Sequence, residues 1–202
     1  RDWVSATATR RHVVNDPLLD WLDLYGDDHG FQRDDQLPGY APRTDFSRFI
    51  MRKGNEFEAA VVEHLGTLVP VHIVAGALEG SRDLASAERT FAAMAAGEQL
   101  IYQAVLRDAD TRAYGTADLL VRSDVLRSLF PEAISDEDTH MPAPDLGGGL
   151  WHYRVVDVKF TTLRLRAGGA LGDSGSAWSN KLQVHVYNRA LGRLQGYLPP
   201  EA

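Results

Sequence analysis

A chain of 202 residues is long enough to bury one hydrophobic core, and no apolar run in it is long enough to span a membrane. Lysine and arginine number 21 against 28 aspartates and glutamates. The resulting charge of −7 argues against a protein that coats nucleic acid with a cationic surface, but not against an enzyme that gathers carboxylates around divalent cations. Cysteine is absent, which excludes disulfides, thiolate zinc sites and cysteine-ligated iron–sulfur clusters within this segment. With neither an initiator methionine nor the apolar core of a secretory leader, the chain reads as a cytoplasmic segment of a longer polypeptide.

Taken in order, residues 5–25 contain a helix start, with Asn15 or Asp16 as cap and Pro17 in the first turn. Leu18, Leu22 and Tyr25 fall on one side of that helix. Residues 26–44, rich in Gly, Asp, Pro and Arg, read as a long loop. Residues 45–65 form a strong helix capped by Thr44 or Asp45. At 100° per residue, Ile50, Gly54, Phe57, Val61, Val62 and Leu65 gather into one arc. Glu58 falls inside that arc, whereas Glu56 and Glu63 fall opposite with Arg52. A core-facing carboxylate needs a cation or strong donors to stay ionised.

Residues 68–74 read as a strand entered through Pro70, and Ser81 can cap a helix through Ala96 that Gly97 ends. Residues 99–107 and 113–122 flank the polar turn 108–112, a hairpin signature. Asp118 interrupts the apolar second strand and asks for a salt bridge or a metal. Gly115 leaves room for close approach of backbone or ligand. Residues 123–149 form an excursion with a short helix at 124–130 and a solvated acidic run, Asp136-Glu-Asp138. Residues 151–160 read as one strand, whose alternation sets Asp157 and Lys159 side by side on one face. A Gly/Ser loop at 167–175 leads to a final helix, residues 176–194. There Gln183 and Tyr187 stack one turn apart inside the apolar arc of Leu182, Val186, Ala190, Leu191 and Leu194. A buried amide needs partners, because an unsatisfied polar group costs roughly 1–3 kcal/mol. The histidines show no metal-ligand spacing and read mostly as surface or rim residues.

These polar intrusions occur in one order: Glu58 on a helix, Asp118 within Gly115-Thr-Ala-Asp-Leu-Leu120, Asp157-x-Lys159 after Tyr153-Arg-Val-Val, then Gln183-x-x-x-Tyr187. Together they resemble the PD-(D/E)xK nuclease superfamily, in particular its RecB-like branch, over roughly residues 50–197. The resemblance implies an α/β (α+β) fold with a central mixed sheet flanked by helices, a restriction-endonuclease-like core. Residues 50–202 would form the nuclease domain and residues 1–49 an N-terminal helical extension. Position 58 is often His in RecB itself and Glu in other relatives. Many relatives also carry a four-cysteine iron–sulfur cluster, which this segment lacks.

The activity so implied is divalent-metal-dependent hydrolysis of DNA phosphodiesters, in repair, recombination or defence. Mg²⁺ or Mn²⁺ would be held by Glu58, Asp118, Asp157 and the Val158 carbonyl, oxygen donors suited to a hard cation. Lys159 would orient the attacking water or stabilise developing charge. Gln183 would hold Lys159 or a phosphate oxygen, Tyr187 would line the DNA side, and Arg164 and Arg166 could reach the phosphate backbone. Partners would be single-stranded DNA or duplex ends, with a helicase or another nucleic-acid module in the same polypeptide or complex. The rival reading is a catalytically silent relative that binds DNA or serves as a scaffold.

Overall fold

The structure, a computed structural model, describes residues 3–74, 83–162, 164–170, 172 and 177–201. A two-residue strand β1 (Val4–Ser5) runs directly into helix α1 (Ala6–Val13), whose first turn is capped by Ser5 Oγ accepting from Ala8 N at 3.1 Å. Helix α2 (Pro17–Tyr25) starts at the expected proline, although the Asp16 side chain makes no capping bond. Its expected apolar side is not buried, since Leu18 and Tyr25 are at least half exposed. Helix α3 (Phe46–Gly66) is capped by Asp45, which accepts from Arg48 N at 3.0 Å and from the Tyr40 hydroxyl at 2.6 Å. Only the last turns of its apolar arc reach the core. Leu65 is buried with Val61 and Val62 packed nearby, whereas Ile50 and Phe57 are exposed.

Pro70 precedes a short strand β2 (Val71–Ile73). Helix α4 (Leu84–Ala95) is capped by Asp83, which accepts from Ala85 N at 3.0 Å; the expected cap, Ser81, lies outside the described residues. The hairpin is present as β3 (Leu100–Asp108) and β4 (Ala113–Arg122). Its turn is tied by Asp108, whose carboxylate accepts from Asp110 N at 3.0 Å and Thr111 Oγ1 at 2.8 Å. Helices α5 (Ser123–Leu129) and α6 (Asp136–Thr139), strand β5 (Tyr153–Val156) and helix α7 (Ala177–Gln195) complete the α-helices and strands of the described residues.

The sheet order is β1-β4-β3-β2, with β5 also on β4. Strands β1 and β5 share one edge of β4: β1 pairs parallel with residues 113–114, and β5 pairs antiparallel with residues 119–122. With β2 parallel and β4 antiparallel to β3, the sheet is mixed and flanked by helices, the α+β arrangement expected from sequence. Ala6 is fully buried in the same core as Leu120 and Leu191, so the first residues share the sheet and core of the remainder. Among the described residues no helix is long and apolar enough to cross a membrane.

The hairpin does not alternate uniformly. Ile101, Ala104 and Leu106 lie in one core cluster with Met94, Tyr153 and Leu191, while Leu100 and Tyr102 lie with the other, around Leu65 and Leu126. On β4, Ala117 and Leu120 join the first cluster and Leu119 and Val121 the second. Regular strands return to a face every two residues. Here the return takes three, from 101 to 104 and from 117 to 120. Both strands therefore change phase between the Tyr102–Leu119 and Ala104–Ala117 pairs, where the rung of Gln103 and Asp118 is not made. Gln103 accomplishes the change with φ +55°, a left-handed backbone uncommon for a residue other than glycine.

The acidic run at 136–138 forms a short helix in which Asp136 and Glu137 are exposed, as expected, but Asp138 is not. Asp138 pairs with the Arg154 guanidinium and accepts from the Tyr197 hydroxyl at 2.6 Å, because a buried arginine requires a counter-charge. Arg154 also donates to the Glu201 carbonyl, which ties the C-terminal residues down. His152, expected at the rim, is fully buried and edge-on to Tyr197. Removing one partner of a buried ion pair leaves the other charge uncompensated. Arg154→Ala is therefore expected to lower unfolding stability by on the order of 3 kcal/mol with an unchanged denaturant slope in urea. A loss below about 1 kcal/mol, the value of an exposed pair, would contradict the role assigned to Asp138.

Candidate active site

The unmade rung is where the sequence-predicted acids meet. Strand β5 was expected to continue to residue 160, yet it stops at Val156. Its register explains why. Val156 pairs with Leu119, so the next partner of β5 would be Asp118, the residue at which β4 changes phase. Instead, Val158 N donates to Asp118 Oδ2 at 2.7 Å, and a side-chain carboxylate takes the place of a ladder bond. Asp157 and Lys159 are still neighbours, but an ion pair rather than strand alternation joins them. Lys159 Nζ lies 2.7 Å from Asp157 Oδ1 and 3.8 Å from Asp118 Oδ2.

Helix α3 closes a second side. Gln103 Nε2 donates to Glu58 Oε1 at 2.6 Å, and Phe57 meets Phe160 with ring centroids 5.8 Å apart, fastening the segment after β5 to the helix. Helix α7 closes a third side. Gln183 Nε2 donates to the Tyr187 hydroxyl at 2.9 Å, and both side chains are buried. Gly115 makes this approach possible: a Cβ there would stand 2.6 Å from Tyr187 Cε1 and 3.2 Å from Ala6 Cβ. The space at Gly115 is thus filled by Tyr187 and Ala6. Gln183 Oε1 is buried without a hydrogen-bond partner among the described residues.

Burial is the main influence on Asp118. It pushes the carboxyl up to about 7; Lys159 opposes this, Asp157 and Glu58 reinforce it, and the Val158 N–H works with Lys159. Burial, helped by Glu58, pushes the Tyr102 hydroxyl up to about 12. Burial likewise carries Tyr187 to about 12; the Gln183 bond opposes the shift and the charges of Asp157 and Asp118 add to it. The last influence on Tyr187 is Arg10 of α1, whose charge opposes the rise. The structure thus brings together Glu58, Asp118, Asp157, Val158, Lys159, Gln183 and Tyr187. Arg164 and Arg166 are exposed on a separate turn, closed by Arg166 N donating to the Ala170 carbonyl at 2.8 Å.

Gln103, Tyr102 and Arg10 are site neighbours that the sequence did not single out. An amide in the middle of an apolar strand at position 103 is the one signal that could have found the first. As placed, no three acidic or imidazole side chains among the described residues stand close enough to hold a metal ion between them; Lys159 bridges the two aspartates instead. The donor set nevertheless suits a hard divalent cation. Three carboxylates and a backbone carbonyl are all oxygen donors, and a single ammonium, that of Lys159, stands among them. The chain matches no protein-family model, and no curated protein or solved structure matches it.

The raised Asp118 sets a pH dependence. An unfolded aspartate titrates near 3.9, so the folded protein holds this proton more tightly. The associated stability is fully present below about pH 4 and is lost as pH rises through about 7. In EDTA, the Asp118→Asn variant should gain on the parent from pH 4 to pH 8, by a few kcal/mol at most, at about 1.4 kcal/mol per pKa unit. Parallel Tm–pH curves for the two proteins would refute the burial of this charge.

Proposed function

We propose that the chain is a divalent-metal-dependent nuclease of the PD-(D/E)xK, RecB-like kind, hydrolysing DNA phosphodiesters in repair, recombination or defence in the cytoplasm. The observation that carries this reading is the meeting of Asp118, Asp157 and Lys159 at one unmade rung of the sheet, with Glu58 on one side and Gln183 and Tyr187 on the other. Asp118, Asp157, Glu58 and the Val158 carbonyl would hold Mg²⁺ or Mn²⁺. When bound, the cation would supply charge neutralisation at the phosphate and a lowered pKa for an attacking water.

The chain's own groups carry the remaining work. Lys159 Nζ, held 2.7 Å from Asp157, keeps donors free for a water or a non-bridging phosphate oxygen, and its charge favours the more negative transition state. The unpartnered Gln183 Oε1 can accept from such a water or from Lys159, fixing its direction. The Tyr187 hydroxyl, held above its usual range, stays protonated across neutral pH and can donate toward a phosphate oxygen. Arg164 and Arg166, exposed beyond the site, suit the backbone of a single strand or a duplex end. The net charge of −7 gives the chain little general attraction for DNA, which favours a helicase or other nucleic-acid module delivering the strand.

One observation favours a second reading, a silent DNA-binding or scaffolding relative: Lys159 already contacts both aspartates, as a purely structural ion pair would. End-labelled single- and double-stranded DNA incubated with Mg²⁺, Mn²⁺ or EDTA separates the two. The nuclease reading expects cutting that requires metal and falls at least about 100-fold in Asp157→Ala and in Lys159→Ala, with far-ultraviolet circular dichroism unchanged. Equal cutting by either variant would reject these roles. Metal binding without cutting, by chain and partner module together, would favour the silent reading.

A further inference from the structure

The geometry points to Gln103 as the positioning residue of this site, an inference that rests on the metal-site reading above. Three residues other than glycine have positive φ among the described residues: Asn15, Gln103 and Arg112. Asn15 and Arg112 lie in turns, where such backbone is ordinary, whereas Gln103 lies inside a strand. Left-handed backbone at an unbranched polar residue inside a sheet persists only where its surroundings demand it.

What it achieves here can be read from its neighbours. In a regular strand Tyr102 and Gln103 would point to opposite faces. With the phase change, both side chains reach Glu58: Gln103 Nε2 donates to Oε1 at 2.6 Å, and Glu58 acts on the Tyr102 hydroxyl. Across the same rung β4 changes phase in step, which frees Asp118 from the ladder to accept the Val158 N–H. One left-handed residue therefore fixes Glu58 directly and releases Asp118 opposite it. Gln103 touches neither a reacting atom nor a ladder partner. Its role is to orient a carboxylate, as outer-shell hydrogen bonds orient metal ligands.

Glycine at position 103 would keep the left-handed backbone and delete the amide. Asparagine would also accept that backbone, but is one methylene too short to reach Glu58 in the same way. Purified chains carrying Gln103→Gly, Gln103→Asn or Asp118→Asn are compared with the parent by calorimetric Mn²⁺ titration and by Tm in EDTA. Both Gln103 variants should bind Mn²⁺ roughly tenfold more weakly. Gln103→Gly should melt no lower than the parent and up to roughly 2–4 °C higher, as backbone strain is relieved. Asp118→Asn should lose Mn²⁺ binding altogether.

Parental Mn²⁺ affinity in Gln103→Gly, with binding lost in Asp118→Asn, would overturn the positioning role and leave the metal site standing. A lower Tm in Gln103→Gly, beside unchanged affinity, would assign the amide to the fold and overturn it too. Parental affinity in Asp118→Asn, or no Mn²⁺ binding by the parent, would overturn both this inference and the reading on which it rests.

Discussion

A single unmade rung between two antiparallel strands governs this molecule. A hairpin that alternated regularly along its length would pair Gln103 with Asp118 and send their side chains to faces set by parity alone. The phase change at that rung stops β5 at Val156, turns the Val158 N–H toward a carboxylate, and lets a helix-borne acid be gripped from the sheet. It also switches parity in the core, so that Leu100 and Tyr102 serve one cluster while Ala104 and Leu106 serve the other, without any change of register. A sheet defect concentrated where charged groups gather is the pattern expected when strain is retained for a purpose other than stability.

The charges at the rung tell the same story. Three carboxylates face one ammonium, and the most buried of the shifted acids, Asp118, is pushed to about 7. A structural ion-pair cluster would be expected to settle its charges with matched cations, as Arg154 does for Asp138. The contrast between the two clusters separates a group of charges that closes on itself from one that leaves negative charge over. Excess carboxylate, a buried amide oxygen without a described partner and a lysine with donors to spare are the features on which the proposed cation site rests.

Much of this was legible in sequence. The hairpin, the helices at 46–66 and 177–195 and the Asp45 cap follow from periodicity and capping chemistry, which are local. The residues of the candidate site stood out because a lone Asp in an apolar strand, a Glu in an apolar arc and a Gln four residues before a buried Tyr each violate that periodicity. What was not legible is non-local. Two residues suffice for β1 because β4 supplies the rest of its environment, and no window of sequence can reveal that. Asp138 looked solvated because its partner, Arg154, is 16 residues away. The strand at 151–160 looked continuous because its end is decided by β4, and Ile50 and Phe57 are exposed because periodicity marks an apolar face without saying what covers it.

We propose that the open rung is a divalent-cation site. Crystals of the chain soaked in Mn²⁺, with diffraction recorded on both sides of the manganese absorption edge, test it most directly. The expected result is an anomalous peak in contact with the carboxylates of both Asp118 and Asp157, with Lys159 Nζ drawn away from Asp118. Full Mn²⁺ exposure that leaves this position empty, with the Lys159 bridge to both aspartates intact, would contradict it.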